Sequence, residues 1–155
     1  MIESTLNSLE VEAAFEVRDT CLSKHLRQAD RIIMQLYDEM LRPHRLKSTQ
    51  FTLLIAIRLQ QPVNQKTLAE CTVTDRTTLT RNLASLARQG LIQVQPGTDR
   101  RVKEISLTTD GHQRLKGAFP AWKKAQSQTE ELLGKTNVHQ LLAELSKISI
   151  KFAAT

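Results

Sequence analysis

Residues 75–90 read DRTTLTRNLASLARQG, and the fold of the whole chain turns on this stretch. Leu79, Leu83, Leu86 and Ala87 recur at helical spacing and mark one apolar face. The outer face holds Arg76, Thr77, Thr78, Thr80 and Arg81. Ordinary surface helices prefer Glu–Lys pairs at such positions. Threonine is a poor helix former because its branched Cβ restricts χ1. Three threonines on one exposed turn therefore cost helix stability, and they call for a partner outside the helix.

The flanking residues supply the context. Asn64 is suited to cap a short helix carrying Leu68 and Ala69, and CTVT at 71–74 reads as a turn. Thr74 or Asp75 then caps the quoted helix, and Gly90 suits its C-terminal end. Two short helices joined by a three- or four-residue turn make a helix-turn-helix. Its second helix lies in the DNA major groove. There Arg76 and Arg81 reach guanine edges or phosphates, while threonine offers a hydroxyl to DNA and a methyl to the methyl of thymine.

Downstream, LIQVQ at 91–95 and VKEISL at 102–107 read as strands around the basic turn PGTDRR. A plain hairpin with solvated arginines is the bland alternative. Its position directly after a helix-turn-helix favours a wing, with Arg100 and Arg101 aimed at a narrow minor groove and Asp99 bracing an arginine.

Long apolar stripes flank this unit. One helix is expected over about 9–42, with Phe15, Leu22, Leu26, Ala29, Ile33, Leu36 and Met40, ended by Pro43. Ser48 is expected to cap a second helix around FTLLIAIRL. TTDG at 108–111 starts another, with Pro120 as a kink and Gly134 as its stop. A last helix at about 136–153 carries Val138, Leu141, Leu142, Leu145, Ile148 and Phe152. Stripes on terminal helices need cover; a two-fold homodimer is the common solution, and intramolecular packing alone is the bland alternative. The expected fold is mainly α with a small β-wing. Residues 1–47 form an N-terminal dimerisation helix, 48–108 a winged helix-turn-helix, and 109–155 the C-terminal dimerisation helices.

Charge agrees with this reading. The 155 residues carry 22 Lys+Arg against 16 Asp+Glu, a net charge of +6, and the pI is about 9.6. Residues 74–103 hold Arg76, Arg81, Arg88, Arg100, Arg101 and Lys103 against Asp75 and Asp99 alone. A focused basic region points to double-stranded DNA. A uniformly basic surface would suit the alternative, a non-specific architectural or RNA-binding protein. Two cysteines, Cys21 and Cys71, are too few for a disulfide scaffold and suit a reducing cytoplasm. The opening MIESTLNSLEVEAAF is not a signal peptide, and no apolar run spans a bilayer. No phosphate-cradling loop, GxSxG, HExxH or nucleophile–base pair occurs, so neither an enzyme, a cofactor nor a metal is expected.

The order of elements, with LAE…DRTTLTRNL…GLI, DRR and ISLTTDG, closely resembles the MarR family of bacterial winged-helix regulators. LYDEMLRPHRLKSTQFTLL and AFPAWKKAQ extend the likeness to nearly the whole chain. Val73 departs from the pattern, because such turns often carry glycine. The resemblance implies an obligate homodimer and a palindromic operator, usually under repression. It assigns recognition contacts to Arg76, Thr77, Thr78, Thr80 and Arg81, the brace to Asp99, and the minor-groove finger to Arg101 with Arg100 nearby. It also implies release by a small aromatic or phenolic ligand or by cysteine oxidation. Tyr37, His44, Phe51, Phe119 and Trp122 are the pocket candidates, each with a plain core role as the alternative. Cys21 is the redox candidate, with Lys24 and His25 close enough in sequence to favour thiolate. Cys71, beside the turn, is the weaker one.

Overall fold

The computed structural model describes residues 2–97 and 101–153, with side chains for 10–97 and 101–148. The helices are α1 (Ile2–Thr20), α2 (Leu22–Leu41), α3 (Ser48–Gln60), α4 (Gln65–Thr72), α5 (Arg76–Arg88), α6 (Thr109–Leu133) and α7 (Lys135–Ala153). The strands are β1 (Val63–Asn64), β2 (Ile92–Pro96) and β3 (Lys103–Leu107), and Arg42–His44 forms a 3-10 turn. The chain divides into two units, Met1–Leu36 and Tyr37–Thr155.

In the first unit, the single helix expected over 9–42 is interrupted at Cys21. Two side chains take backbone carbonyls just before the break. Thr20 Oγ1 donates to Glu16 O at 2.8 Å, and Lys24 Nζ donates to Arg18 O at 2.7 Å. Such side-chain competition for the i−4 ladder bends helices.

The second unit is built around the helix-turn-helix. Asn64 Oδ1 accepts the Thr67 amide at 2.9 Å and starts α4. Asp75 Oδ1 accepts the Thr78 amide at 2.9 Å and starts α5. Both helices end in the same paired motif. Thr74 N bonds Ala69 O and Val73 N bonds Glu70 O after α4, while Leu91 N bonds Leu86 O and Gly90 N bonds Ala87 O after α5. Each motif needs one left-handed residue. After α5 it is Gly90, at φ 70; after α4 it is Val73, at φ 48 and 84% exposed. The turn therefore has the ordinary helix-turn-helix geometry despite its valine, at the cost of local strain.

The sheet has three strands, not the expected two. β3 lies between β1 and β2 and is antiparallel to both, with Val63 opposite Ile105 and Ile92 opposite Leu107. β1 escapes a reading by periodicity because it is two residues long and its Asn64 is also the α4 cap. Ile92, Ile105 and Leu107 turn inward, onto a core that includes Leu41, Leu54, Ile57, Leu68, Leu79, Leu86 and Leu91.

Ser48 is the first residue of α3 and not its cap. Its amide and hydroxyl both meet Asp38 Oδ1, at 2.6 Å each, and this ties α2 to α3. α6 is docked on the residue that ends α5. Thr108 N donates to Leu91 O at 3.1 Å, Thr108 Oγ1 donates to Gly90 O at 2.6 Å, and the same oxygen caps α6 by accepting the Gly111 amide. Gly111 permits this approach, since a Cβ there would stand 2.0 Å from Leu91 O. Pro120 lies inside α6. On α7, Val138 is buried, whereas Leu141, Leu142 and Ile148 are exposed; the side chain of Phe152 lies outside the described residues. No helix among the described residues is long and apolar enough to cross a membrane.

Candidate nucleic-acid interface

α5 separates its residues cleanly. Leu79, Leu83 and Leu86 are buried in the core. Ala87, grouped with them by spacing, is exposed at the edge of that face. Arg76, Thr77, Thr80 and Arg81 are exposed, and Thr78 and Asn82 are half-buried.

The three threonines differ in what they touch. Thr78 serves the helix cap: its hydroxyl, and then its amide, hold the Asp75 carboxyl below the usual carboxylate range. Thr80 Oγ1 donates to Arg76 O at 2.7 Å and accepts from Gln65 Nε2 at 2.7 Å. Gln65, the first residue of α4, was not singled out from sequence. No motif marks it, and only folding brings it within reach of α5. Among the described residues, no hydrogen bond or short ion pair holds the guanidiniums of Arg76 and Arg81 or the hydroxyl of Thr77. The face thus presents two exposed cations and one uncommitted hydroxyl.

The β2–β3 hairpin follows α5 directly. Gly97 N donates to Val102 O at 2.8 Å and closes its described stem. Arg101 and Lys103 are exposed at its β3 side. Asp99 and Arg100 lie outside the described residues.

Of the aromatic candidates, three meet. Phe51, Phe119 and Trp122 have ring centroids 5.9 to 6.3 Å apart, with Phe51 stacked on Trp122 and Phe119 edge-on to both. Phe51 is buried, while Phe119 is 39% exposed and faces two adjoining clefts. One, of about 290 Å³, is lined by Phe51, Thr52, Ile55, Phe119 and Trp122. The other, of about 650 Å³, has Ile55, Leu59, Leu115 and Phe119 as its apolar wall and Arg58, His112 and Lys116 at its polar positions. Those three basic residues were also missed, because α3 and α6 contribute them from distant parts of the chain. His44 lines a separate, polar cleft with Gln89, Asp110, Gln113 and Arg114. Tyr37 donates its hydroxyl to Gln126 Oε1 at 2.6 Å, and burial raises its pKa.

Cys21 is half-buried and Cys71 exposed, both as free thiols. Lys24 and His25 do not turn to the Cys21 sulfur as the sequence suggested. Lys24 Nζ bonds Arg18 O, and His25 Nδ1 lies 2.9 Å from the Cys21 carbonyl oxygen. Among the described residues no group of three His, Cys, Asp or Glu side chains is placed to hold a metal.

Comparison with known proteins agrees with this arrangement. A sequence model described as MarR family matches residues 46–102, from the start of α3 into the wing. An HTH-type transcriptional regulator of Bacillus cereus is 32% identical over 111 residues, covering 72% of this chain and 74% of the relative. Among solved structures, the transcriptional regulator MosR of M. tuberculosis in complex with DNA is 34% identical, with a TM-score of 0.77 over 86% of this chain and 97% of its own. The transcriptional repressor CouR bound to a 23-mer DNA duplex is 25% identical, with a TM-score of 0.79 over 86% and 95%. Both the winged helix-turn-helix and the sequence relatives indicate a regulator and not an enzyme. The chain belongs to the MarR family of DNA-binding transcriptional regulators.

Proposed function

We propose that a two-fold homodimer of this chain binds a pseudo-palindromic operator in double-stranded DNA and represses transcription, and that a small aromatic or phenolic ligand, or oxidation of Cys21, releases it. One observation carries the DNA reading: α5 buries its leucines while Arg76, Thr77 and Arg81 stand exposed on the opposite side. In this reading residues 48–108 bind DNA, and residues 1–47 and 109–155 dimerise. α5 enters the major groove with Arg76, Thr77, Thr78, Thr80 and Arg81, and the wing brings Asp99, Arg100 and Arg101 to the adjoining minor groove. The dimer is supported by the apolar faces left uncovered in one chain, Leu141, Leu142 and Ile148 on α7 and Val11, Phe15 and Val17 on α1. Large exposed apolar patches mark association surfaces. The ligand reading rests on the Phe51–Phe119–Trp122 cluster and its clefts. With His44 and Tyr37 engaged elsewhere, those three rings are the core of the proposed pocket. The thiol route rests on Cys21 alone, which has neither Lys24 nor His25 bonded to its sulfur.

The test is binding of the full chain to the duplex upstream of its own gene, followed by fluorescence anisotropy across salt concentrations. Arg101→Ala is expected to weaken binding at least tenfold while the dimer mass by light scattering is unchanged. Arg76→Ala and Arg81→Ala should each cost about 1–3 kcal/mol where a base contact is lost. Where a phosphate contact is lost instead, the salt slope should fall by about 0.9. Wild-type affinity and salt slope in all three variants would refute the DNA face. Peroxide should release the wild type and leave Cys21→Ser bound, if the thiol is the sensor; equal release of both would remove Cys21.

A further inference from the structure

We infer that Thr80 reads the 5-methyl group of a thymine, and that Gln65, from the other helix of the motif, is the residue that commits it to this role. The inference rests on the proposed entry of α5 into the major groove. A threonine hydroxyl has one proton and two lone pairs. The proton of Thr80 is on Arg76 O, at 2.7 Å. Because that proton is used, the group facing it from Gln65 must be the amide nitrogen, and Nε2 lies 2.7 Å from Oγ1. One lone pair is thereby occupied as well. The hydroxyl has no donor left for the N7, O6 or O4 acceptors that line a major groove.

What remains for an exposed contact is the methyl, beside one lone pair on an oxygen already held by two hydrogen bonds inside the motif. Among base edges in the major groove, only thymine presents an apolar group to match it. The Gln65 bond also fixes χ1. Rotation about Cα–Cβ to bring the hydroxyl outward would break two hydrogen bonds, one of them across the helix-turn-helix. Thr77 contrasts with it on the same exposed face. Its hydroxyl is uncommitted among the described residues, so hydrogen bonding to DNA falls to Thr77 and the two arginines. Gln65 is a positioning residue in this account: it acts on specificity through Thr80.

The experiment is selection of binding sites from a random-sequence duplex pool by the full-length wild type, Thr80→Ser, Thr80→Val and Gln65→Ala. Anisotropy then follows on the selected site, with thymine replaced by deoxyuridine. Wild type and Thr80→Val should select the same thymine in each half-site, and Thr80→Ser should accept any base there. Loss of the thymine methyl should weaken wild-type binding about fourfold per half-site, the effect of one buried methyl group at about 0.8 kcal/mol. It should not affect Thr80→Ser. Gln65→Ala should reduce the thymine-to-uracil discrimination and leave the rest of the selected sequence in place, which loss of folding would not do. Thymine preference kept in Thr80→Ser and lost in Thr80→Val would assign the readout to the hydroxyl and overturn the inference. So would a wild type indifferent to deoxyuridine. Either result leaves α5 as the reading helix, whereas a pool with no recurrent sequence for the wild type overturns that reading and this inference together.

Discussion

Replacing Gly111 by alanine tests the joint between the end of α5 and the start of α6. The added Cβ would stand 2.0 Å from Leu91 O and 3.0 Å from Leu91 C, where real Cβ contacts essentially never come under 3.0 Å. About 1 Å must be opened, and the obstacle is backbone, which cannot rotate away. Leu91 is fully buried, and its amide closes the α5 cap on Leu86 O. Overpacking of this kind costs about 1–3 kcal/mol. Separating the two segments of this joint also strains the two hydrogen bonds that cross it, Thr108 N to Leu91 O and Thr108 Oγ1 to Gly90 O, at about 1 kcal/mol each. Alanine is the better helix former by about 1 kcal/mol, which offsets part of the loss. The net is a destabilisation of about 2–4 kcal/mol. For a chain of this size that lowers Tm by about 4–16 °C. Gly117, in the same helix, provides the matched comparison. A Cβ there meets nothing nearer than His44 Nδ1 at 3.9 Å. Gly117→Ala should therefore raise stability by about 0.5–1 kcal/mol. Thermal unfolding is followed by circular dichroism at one fixed protomer concentration, because association makes Tm concentration dependent. A Gly111→Ala protein that melts within a degree of wild type would refute the close approach.

Two further outcomes are expected. Val73→Gly should stabilise the protein by about 0.5–1 kcal/mol, since relief of a left-handed β-branched residue exceeds the added freedom of glycine in the unfolded chain. The side chain is 84% exposed, so little burial is lost; a lower Tm in the variant would argue against that backbone conformation. Asp75 has its pKa lowered in the fold, by Thr78 first, so its ionised form stabilises α5. That contribution is fully present above the unfolded-chain value of about 3.9 and is lost as pH falls through the lower folded value. The stability difference between wild type and Asp75→Asn should be flat from neutral pH to about pH 4. It should shrink in more acid solution, and a difference that instead grew with acidity would contradict the cap.

The sequence alone determined the helix-turn-helix and its wing, and the physical reason is that their signals are local. Asn64 and Asp75 cap helices whose first amides lie three residues away, and Gly90 ends α5 through bonds within six residues. Leu79, Leu83 and Leu86 face one way because of helical periodicity, whatever lies beneath them. The exposed arginines and threonines follow from that same periodicity. Tertiary structure decided what depends on distant residues meeting. It paired Val63 and Asn64 with β3, gave Ser48 to Asp38, and gathered Phe51, Phe119 and Trp122 while engaging Tyr37 and His44 elsewhere. It also distinguished the threonines: alike in sequence, Thr78 serves a cap, Thr77 is left open, and Thr80 is held by a glutamine fifteen residues earlier. A hydrogen bond across a turn has no period, and composition cannot announce it.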